Sequence, residues 1–331
     1  MKIVADRAIP FLDGVFEPYA EVVYRNGDKI SADDVRDADA LIIRTRTRCD
    51  AKLLDGSAVK LIATATIGFD HIDLRYCRRA GIIVTTAAGC NAAGVLQWVA
   101  AALALLSKRE QFAPTERTLG IVGVGSVGRL VKEYAEAWGF RTICCDPPRG
   151  AREHLGFVSL EEVLRKADIV TLHVPLDNKT RGMINSEAIA LMREGAVLLN
   201  ASRGEVAKTE SLLTDKIACA IDVWEGEPNI DRRLLDKAFI ATPHIAGYSL
   251  QGKANATAMS VRAVASFFGI PLIGWYPPQV EPATRREISW QQMYSTIFDY
   301  CDPTAESRPL KESPEAFEQL RNKYTYRREY F

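Results

Sequence analysis

Residues 118–146 read TLGIVGVGSVGRLVKEYAEAWGFRTICCD, and this stretch decides the fold. An apolar run, Leu119, Ile121 and Val122, enters a turn with glycines at 123, 125 and 128. The next apolar residues, Val127, Leu130, Val131 and Tyr134, fall on one helical face, so the pattern is strand, tight turn, helix. Gly139 is placed to end the helix, and residues 141–145 read as a second strand closing on Asp146. Bare glycines let the main chain approach a pyrophosphate, whose charge is met by the N–H groups that open the helix. Gly123, Gly125, Ser126, Val127 and Gly128 are therefore expected to bind a dinucleotide. Asp146 then selects it. A carboxylate at the end of the second strand accepts hydrogen bonds from the adenosine ribose and repels a 2′-phosphate, which favours NAD over NADP.

At 331 residues the chain has length for two domains or a little more. Its 42 basic and 42 acidic residues cancel, so no overall field draws it to nucleic acid or to an acidic membrane surface, and any basic site must be local. The seven cysteines are odd in number and scattered, which fits a reducing compartment. None is spaced as a zinc finger, and no metal is expected. The chain opens directly on the strand MKIVAD, and no run reaches the ~18 apolar residues of a membrane span, so a cytoplasmic location is expected.

Residues 1–91 alternate short apolar strands (KIVA, EVVYR, ALIIR, LIATAT, GIIVTT) with polar or helical segments, the pattern of a small parallel α/β domain. After the third strand come Arg44, Thr45, Arg46 and Arg48. This is either a solvated strand end or an anion pocket, since the carboxyl ends of parallel strands face the ligand crevice and the Arg fork binds two oxygens. Thr64 and Thr66 end the fourth strand in the same way; Asp70 is the expected cap of the following helix, and His71 reads as structural. Residues 92–108 form an Ala- and Leu-rich helix, apolar nearly all round and so expected to be buried. From Ile121 to His244 six strands alternate with helices, a full dinucleotide-binding domain. His173, beside Pro175, reads as a satisfied or crevice-lining histidine. Residues 245–272 return to the first domain, and 273–331 are a Pro-rich linker and an aromatic tail. Too short for a core of its own, the tail is expected to borrow one from a partner subunit.

Three stretches stand at the carboxyl ends of the last three strands: NASRGEV, DVWEGEP and TPHIAG. Arg203 suits a carboxylate, Glu227 is an acid among turn residues, and His244 supplies an imidazole, the side-chain type suited to take a hydroxyl proton during hydride transfer. Singly, each has a bland reading: a surface Arg, a turn-capping acid, a structural His. Their shared place at one crevice favours chemistry.

On GVGSVG with Asp146, NASRG, DVWEGEP and TPHIAG, the chain resembles the D-2-hydroxyacid dehydrogenases. ATATIGFDHID, AAGCNAAGV, CDPPR and HIAGYSLQGKA bring the resemblance closest to the branch that acts on a phosphorylated four-carbon hydroxy acid in vitamin B6 biosynthesis, and FEQLRNKYTYRREY is similar to that branch's dimerisation segment. The resemblance implies a six-stranded doubly wound Rossmann NAD domain (92–244) inserted in a smaller flavodoxin-like α/β substrate domain (1–91 and 245–272), with a short C-terminal dimerisation segment (273–331) and a homodimer. It implies Arg203, Glu227 and His244 as active-site residues, Asp146, Asp222 and Gly247 as NAD contacts, and Thr45, Thr66 and Tyr248 as substrate contacts. Thr45 stands where relatives often carry Ser, and Val174 where they often carry Thr. The substrate phosphate needs its own cation, and Arg44 and Arg46 are nearest, with Arg327 or Arg328 of a second copy as a further source. Two other readings use the same scaffold: a dehydrogenase for phosphoglycerate, glycerate or hydroxypyruvate, and an NAD(H)-sensing corepressor-like binding protein.

Overall fold

A computed structural model describes residues 1–154 and 156–331, which divide into two compact units. The first comprises Met1–Asn91 and Leu250–Pro282. Its strands are β1 (Lys2–Asp6), β2 (Glu21–Arg25), β3 (Ala40–Ile43), β4 (Leu61–Thr64) and β5 (Ile83–Thr86). They form one parallel sheet in the order β2-β1-β3-β4-β5, the flavodoxin-like arrangement. ALII and LIAT read as unbroken apolar runs because both faces of the sheet are covered. Val4, Leu41, Ile43 and Ile62 face one layer, with Leu53, Leu54 and Cys77. Ile3, Ala5, Ile42 and Leu61 face the other, where Val261, Val264 and Ala265 of the helix Leu250–Phe268 meet them. The returning chain thus completes the second face of a sheet begun at the N-terminus.

The order reverses at β1 and β3, and there Asp6, ending β1, pairs with Arg44, just after β3: Nε lies 2.9 Å from Oδ2. One expectation is corrected nearby. Asp73 rather than Asp70 caps the helix Leu74–Arg79, accepting from the N–H groups of Arg75 and Tyr76 at 3.0 and 2.9 Å. A turn closed by Ile72 N–H on the Phe69 carbonyl and a parallel bridge from Cys49 to Ile72 take up residues 69–72, so the helix starts only after Asp73.

The second unit comprises Ala92–Ser249 and Ala283–Phe331. Its strands are β6 (Thr118–Val122), β7 (Arg141–Cys145), β8 (Ile169–Leu172), β9 (Val197–Asn200), β10 (Ala218–Ile221) and β11 (Ile240–Ala241). All are parallel, in the order β11-β10-β9-β8-β6-β7, so the direction of winding reverses between β6 and β8, where the crevice of such a sheet opens. The helix Ser126–Trp138 ends where Gly139 takes a φ of 101°.

The helix Ala92–Glu110 is buried over most of its length. Trp98 is fully buried, its indole N–H donating to Thr242 Oγ1 at 3.0 Å, and its truncation to Ala would cost about 3–5 kcal/mol. Residues of the C-terminal tail cover this helix: Gln97 Nε2 donates to the carbonyls of Tyr300 and Arg328, each at 3.2 Å. The tail does not need a partner's core. Ile288, Met293, Ile297, Tyr330 and Phe331 join one apolar cluster with Tyr134 and Trp138, and Leu310 and Phe317 join another with Leu234 and Leu235. A short segment acquires a core by docking its aromatic residues on the larger sheet domain of the same chain.

Candidate active site

The glycine turn has the form a pyrophosphate requires. Gly123 takes a φ of 86°, and a Cβ there would lie 2.6 Å from the His173 carbonyl; a Cβ on Gly128 would collide with the Gly123 carbonyl. Turn and helix therefore close on each other only without side chains. Gly125 differs, since a Cβ there would meet nothing within 4 Å. Gly125 and Ser126 are exposed at the start of the helix Ser126–Trp138, whose first N–H groups have no side-chain cap. This open, uncapped cradle fits a dinucleotide phosphate. Asp146 directly follows β7, accepting from Val124 N–H at 2.8 Å through Oδ2 and from Arg149 N–H at 3.0 Å through Oδ1. Arg149, the cation nearby that a 2′-phosphate would use, is held by Glu153 at 2.7 Å, in keeping with NAD rather than NADP.

Arg203, Glu227 and His244 follow β9, β10 and β11, three adjacent strands. Glu227 and His244 meet: Nδ1 lies 2.8 Å from Oε2, while Oε1 accepts the Trp224 N–H at 2.9 Å. Burial alone would push the Glu227 carboxyl up, but the hydrogen bond and charge of His244, the Trp224 N–H and the Arg321 charge outweigh it and hold Glu227 below the ordinary carboxylate range. The residue is thus an anion at neutral pH, bonded to one ring nitrogen, Nδ1. Arg203 Nη1 donates to the Ser202 carbonyl at 2.7 Å.

His244 itself sits at φ 57°, a left-handed backbone unusual for a residue with a side chain, and its surroundings over-determine it. Its N–H donates to the Asp222 carbonyl at 2.7 Å. Asp222, buried at the end of β10, accepts from Thr242 Oγ1 at 2.6 Å and from the N–H groups of Ile245 and Ala246 at 2.8 and 3.0 Å. Burial pushes its carboxyl up against these bonds and the nearby His244. Expected as a cofactor contact, Asp222 also shapes the turn that presents His244 and leads to Gly247.

Tyr248 receives a hydrogen bond from Arg321 Nε at 3.1 Å, and Arg321 Nη1 stands 3.8 Å from Glu227 Oε2. Nothing in the sequence marks Arg321 as part of the site; its spacing from Glu227 follows no local period. Arg327, a candidate phosphate contact from a second copy, is buried in its own chain and donates to the carbonyls of Ile245, Ala246 and Gly94. It ties the tail to the turn after His244 instead.

Thr45, Thr66, Arg44 and Arg46 belong to the smaller unit. Thr66 Oγ1 lies 2.6 Å from Thr64 Oγ1, which reaches His71 Nε2 at 3.5 Å; burial lowers the pKa of His71. Thr45 and Arg46 are exposed, whereas Arg44 is committed to the buried Asp6. His173 Nε2 lies 3.0 Å from Thr171 Oγ1, and burial pushes its pKa down to about 3, so it is neutral and satisfied.

The D-isomer specific 2-hydroxyacid dehydrogenase NAD binding domain matches residues 95–246, and together with the full-length relatives below, it makes the chain an NAD-dependent D-2-hydroxyacid dehydrogenase. A solved structure of NAD+-bound 3-phosphoglycerate dehydrogenase from Entamoeba histolytica superposes with a TM-score of 0.65 at 26% identity, covering 82% of this chain and 97% of that one. An erythronate-4-phosphate dehydrogenase of Bacteroides fragilis is 46% identical over 99% of this chain and 97% of its own. One of Porphyromonas gingivalis is 40% identical over 99% of this chain and 94% of its own. The chain belongs to the erythronate-4-phosphate dehydrogenase family.

Proposed function

We propose that the protein oxidises 4-phospho-D-erythronate at C2 to (3R)-3-hydroxy-2-oxo-4-phosphooxybutanoate, a step toward pyridoxal 5′-phosphate. The observation that carries the chemistry is the 2.8 Å bond between His244 Nδ1 and Glu227 Oε2 at the strand ends of an NAD-binding domain. The glycine turn and Asp146 would hold NAD, which would supply the hydride acceptor. Arg203 holds the C1 carboxylate through its two-pronged fork. Neutral His244 takes the C2 hydroxyl proton at Nε2, and the Glu227 carboxylate stabilises the imidazolium that results. Thr45, Thr66 and Tyr248 offer hydroxyl groups to the substrate. Arg44 and Arg46, flanking Thr45, are the candidate cations for the phosphate, and Arg44 also pairs with Asp6.

A homodimer formed through the C-terminal segment is part of this reading, supported by that segment's resemblance, and light scattering of the purified protein tests it. No helix among the described residues is long and apolar enough to cross a membrane. The functional test is kcat/KM for NADH formation from 4-phosphoerythronate, 3-phosphoglycerate, glycerate and lactate, with a 2-oxo acid present to relieve product accumulation. Preference for 4-phosphoerythronate over glycerate and lactate by about two orders of magnitude is expected, since a site built to bind a phosphate strongly rejects substrates that lack it. Equal or better turnover of glycerate or 3-phosphoglycerate refutes the assignment.

A further inference from the structure

We propose that Arg321, carried by the C-terminal segment of the same chain, is a positioning residue for the reacting pair, bracing the Glu227 carboxylate and the Tyr248 hydroxyl with one guanidinium. The helix Phe317–Asn322 places Arg321 so that Nε donates to the Tyr248 hydroxyl at 3.1 Å and Nη1 stands 3.8 Å from Glu227 Oε2. That oxygen is the one bound to His244 Nδ1 at 2.8 Å. The carboxylate is therefore gripped at both ends: by the Trp224 N–H on Oε1, and by an imidazole and a guanidinium on Oε2. A terminal carboxylate torsion is soft, and loss of one grip lets it turn away from the ring. The guanidinium also lies over the Tyr248 ring, 5.9 Å from its centroid, while Tyr324 and Tyr326 approach the same ring edge-on at 6.2 and 6.1 Å. Tail residues thus line three sides of Tyr248.

The mount that carries Arg321 is rigid. Phe317, at the start of its helix, is 1% exposed in an apolar cluster; Arg327 is buried against the carbonyls of Ile245 and Ala246; Ser249 Oγ donates to Glu329 at 2.6 Å. Arg321 itself is partly exposed, with 27% of its side chain accessible, so its replacement opens no large cavity. The consequence is that the site is complete only when the tail is docked on its own dehydrogenase domain.

The proposal rests on Glu227 and His244 being the reacting pair, and the test separates the two ideas by comparing Arg321→Ala, Arg321→Lys and His244→Ala with the parent enzyme. The measurements are kcat and KM with 4-phosphoerythronate and NAD, the isotope effect with substrate deuterated at C2, and the thermal midpoint. Arg321→Ala is expected to lower kcat ~10-fold, less than the ~10²-fold that a misplacement of about 1 Å costs, with KM for NAD unchanged and a larger isotope effect. Arg321→Lys keeps the charge but cannot brace both partners, so its kcat falls between the two. If Arg321→Ala does not fold, Arg321→Lys decides alone: reduced kcat at an unchanged thermal midpoint supports the proposal, and parent-level kcat overturns it. Arg321→Ala turnover within about a factor of two of the parent also overturns it, as does a loss common to both variants that merely follows the thermal midpoint. Near-normal turnover by His244→Ala instead removes the reading of the reacting pair.

Discussion

Replacing Glu227 by Gln removes one negative charge from His244 while keeping the shape of the side chain. The Gln oxygen can still accept the Trp224 N–H, so the local fold is expected to survive. Two losses follow at the ring. The bond between Oε2 and Nδ1, 2.8 Å long, is charge-assisted whenever His244 carries the proton it has taken from substrate. Hydrogen bonds to charged groups are worth about 1.5–3 kcal/mol, and at roughly 1.4 kcal/mol per decade this corresponds to a ~10- to ~10²-fold loss of kcat. With its oxygen on the Trp224 N–H, the amide presents its NH2 to Nδ1, which stabilises the tautomer protonated at Nε2 and leaves no base for the substrate. That effect adds to the first. The assay is the initial rate of NADH formation at saturating NAD and substrate, with NAD affinity measured separately and expected to be unchanged. A Glu227→Gln enzyme within about a factor of two of the parent kcat would refute the reasoning, because no other carboxylate is bonded to His244 Nδ1 among the described residues.

Arg46→Ala should raise KM for phosphorylated acids and leave unphosphorylated ones little changed, which a paired substrate comparison checks; an equal effect on both contradicts phosphate binding. Arg44→Ala should in addition destabilise the fold by about 1–3 kcal/mol, read by denaturant unfolding, because it strands the buried Asp6 carboxylate. Asp146→Ser should narrow the preference for NAD over NADP, measured as the ratio of kcat/KM values, while the serine still caps the helix Pro147–Glu153. Because His173 stays neutral down to about pH 3 in the fold but protonates near pH 6.5 when unfolded, the unfolded chain binds the extra proton between those values. Stability should therefore fall with acidification by up to roughly 1.4 kcal/mol per pH unit in that window, and urea unfolding of His173→Asn should show a shallower slope.

The strands and the glycine turn were legible because each rests on local pattern: apolar runs of strand length, a turn that only glycine permits, an acid closing the second strand. Glu227 and His244 are 17 residues apart, yet their meeting could be anticipated because both follow the ends of neighbouring parallel strands. What escaped depends on side chains that come together from distant elements. Arg44 looks like a free cation in RTRTR, but Asp6, 38 residues earlier, is brought against it by the pairing of β1 with β3. Asp70 reads as the cap in the sequence, but the bridge at Ile72 moves the start of the helix to Asp73. The tail appeared too short for a core, and its aromatic residues do not reveal which surface they cover; Tyr330 and Phe331 turn out to pack on Tyr134 and Trp138 of their own chain. Arg321 reaches Tyr248 across 73 residues, a separation that no periodicity encodes.

The central claim is that one small acid lies between Arg203 and His244, and a crystal structure with NAD and 4-phosphoerythronate tests it most directly. The account predicts the C2 hydroxyl within about 3 Å of His244 Nε2, the C1 carboxylate on the Arg203 guanidinium, and Glu227 still bonded to Nδ1. A substrate bound with its C2 hydroxyl away from His244, or held without Arg203, would contradict it.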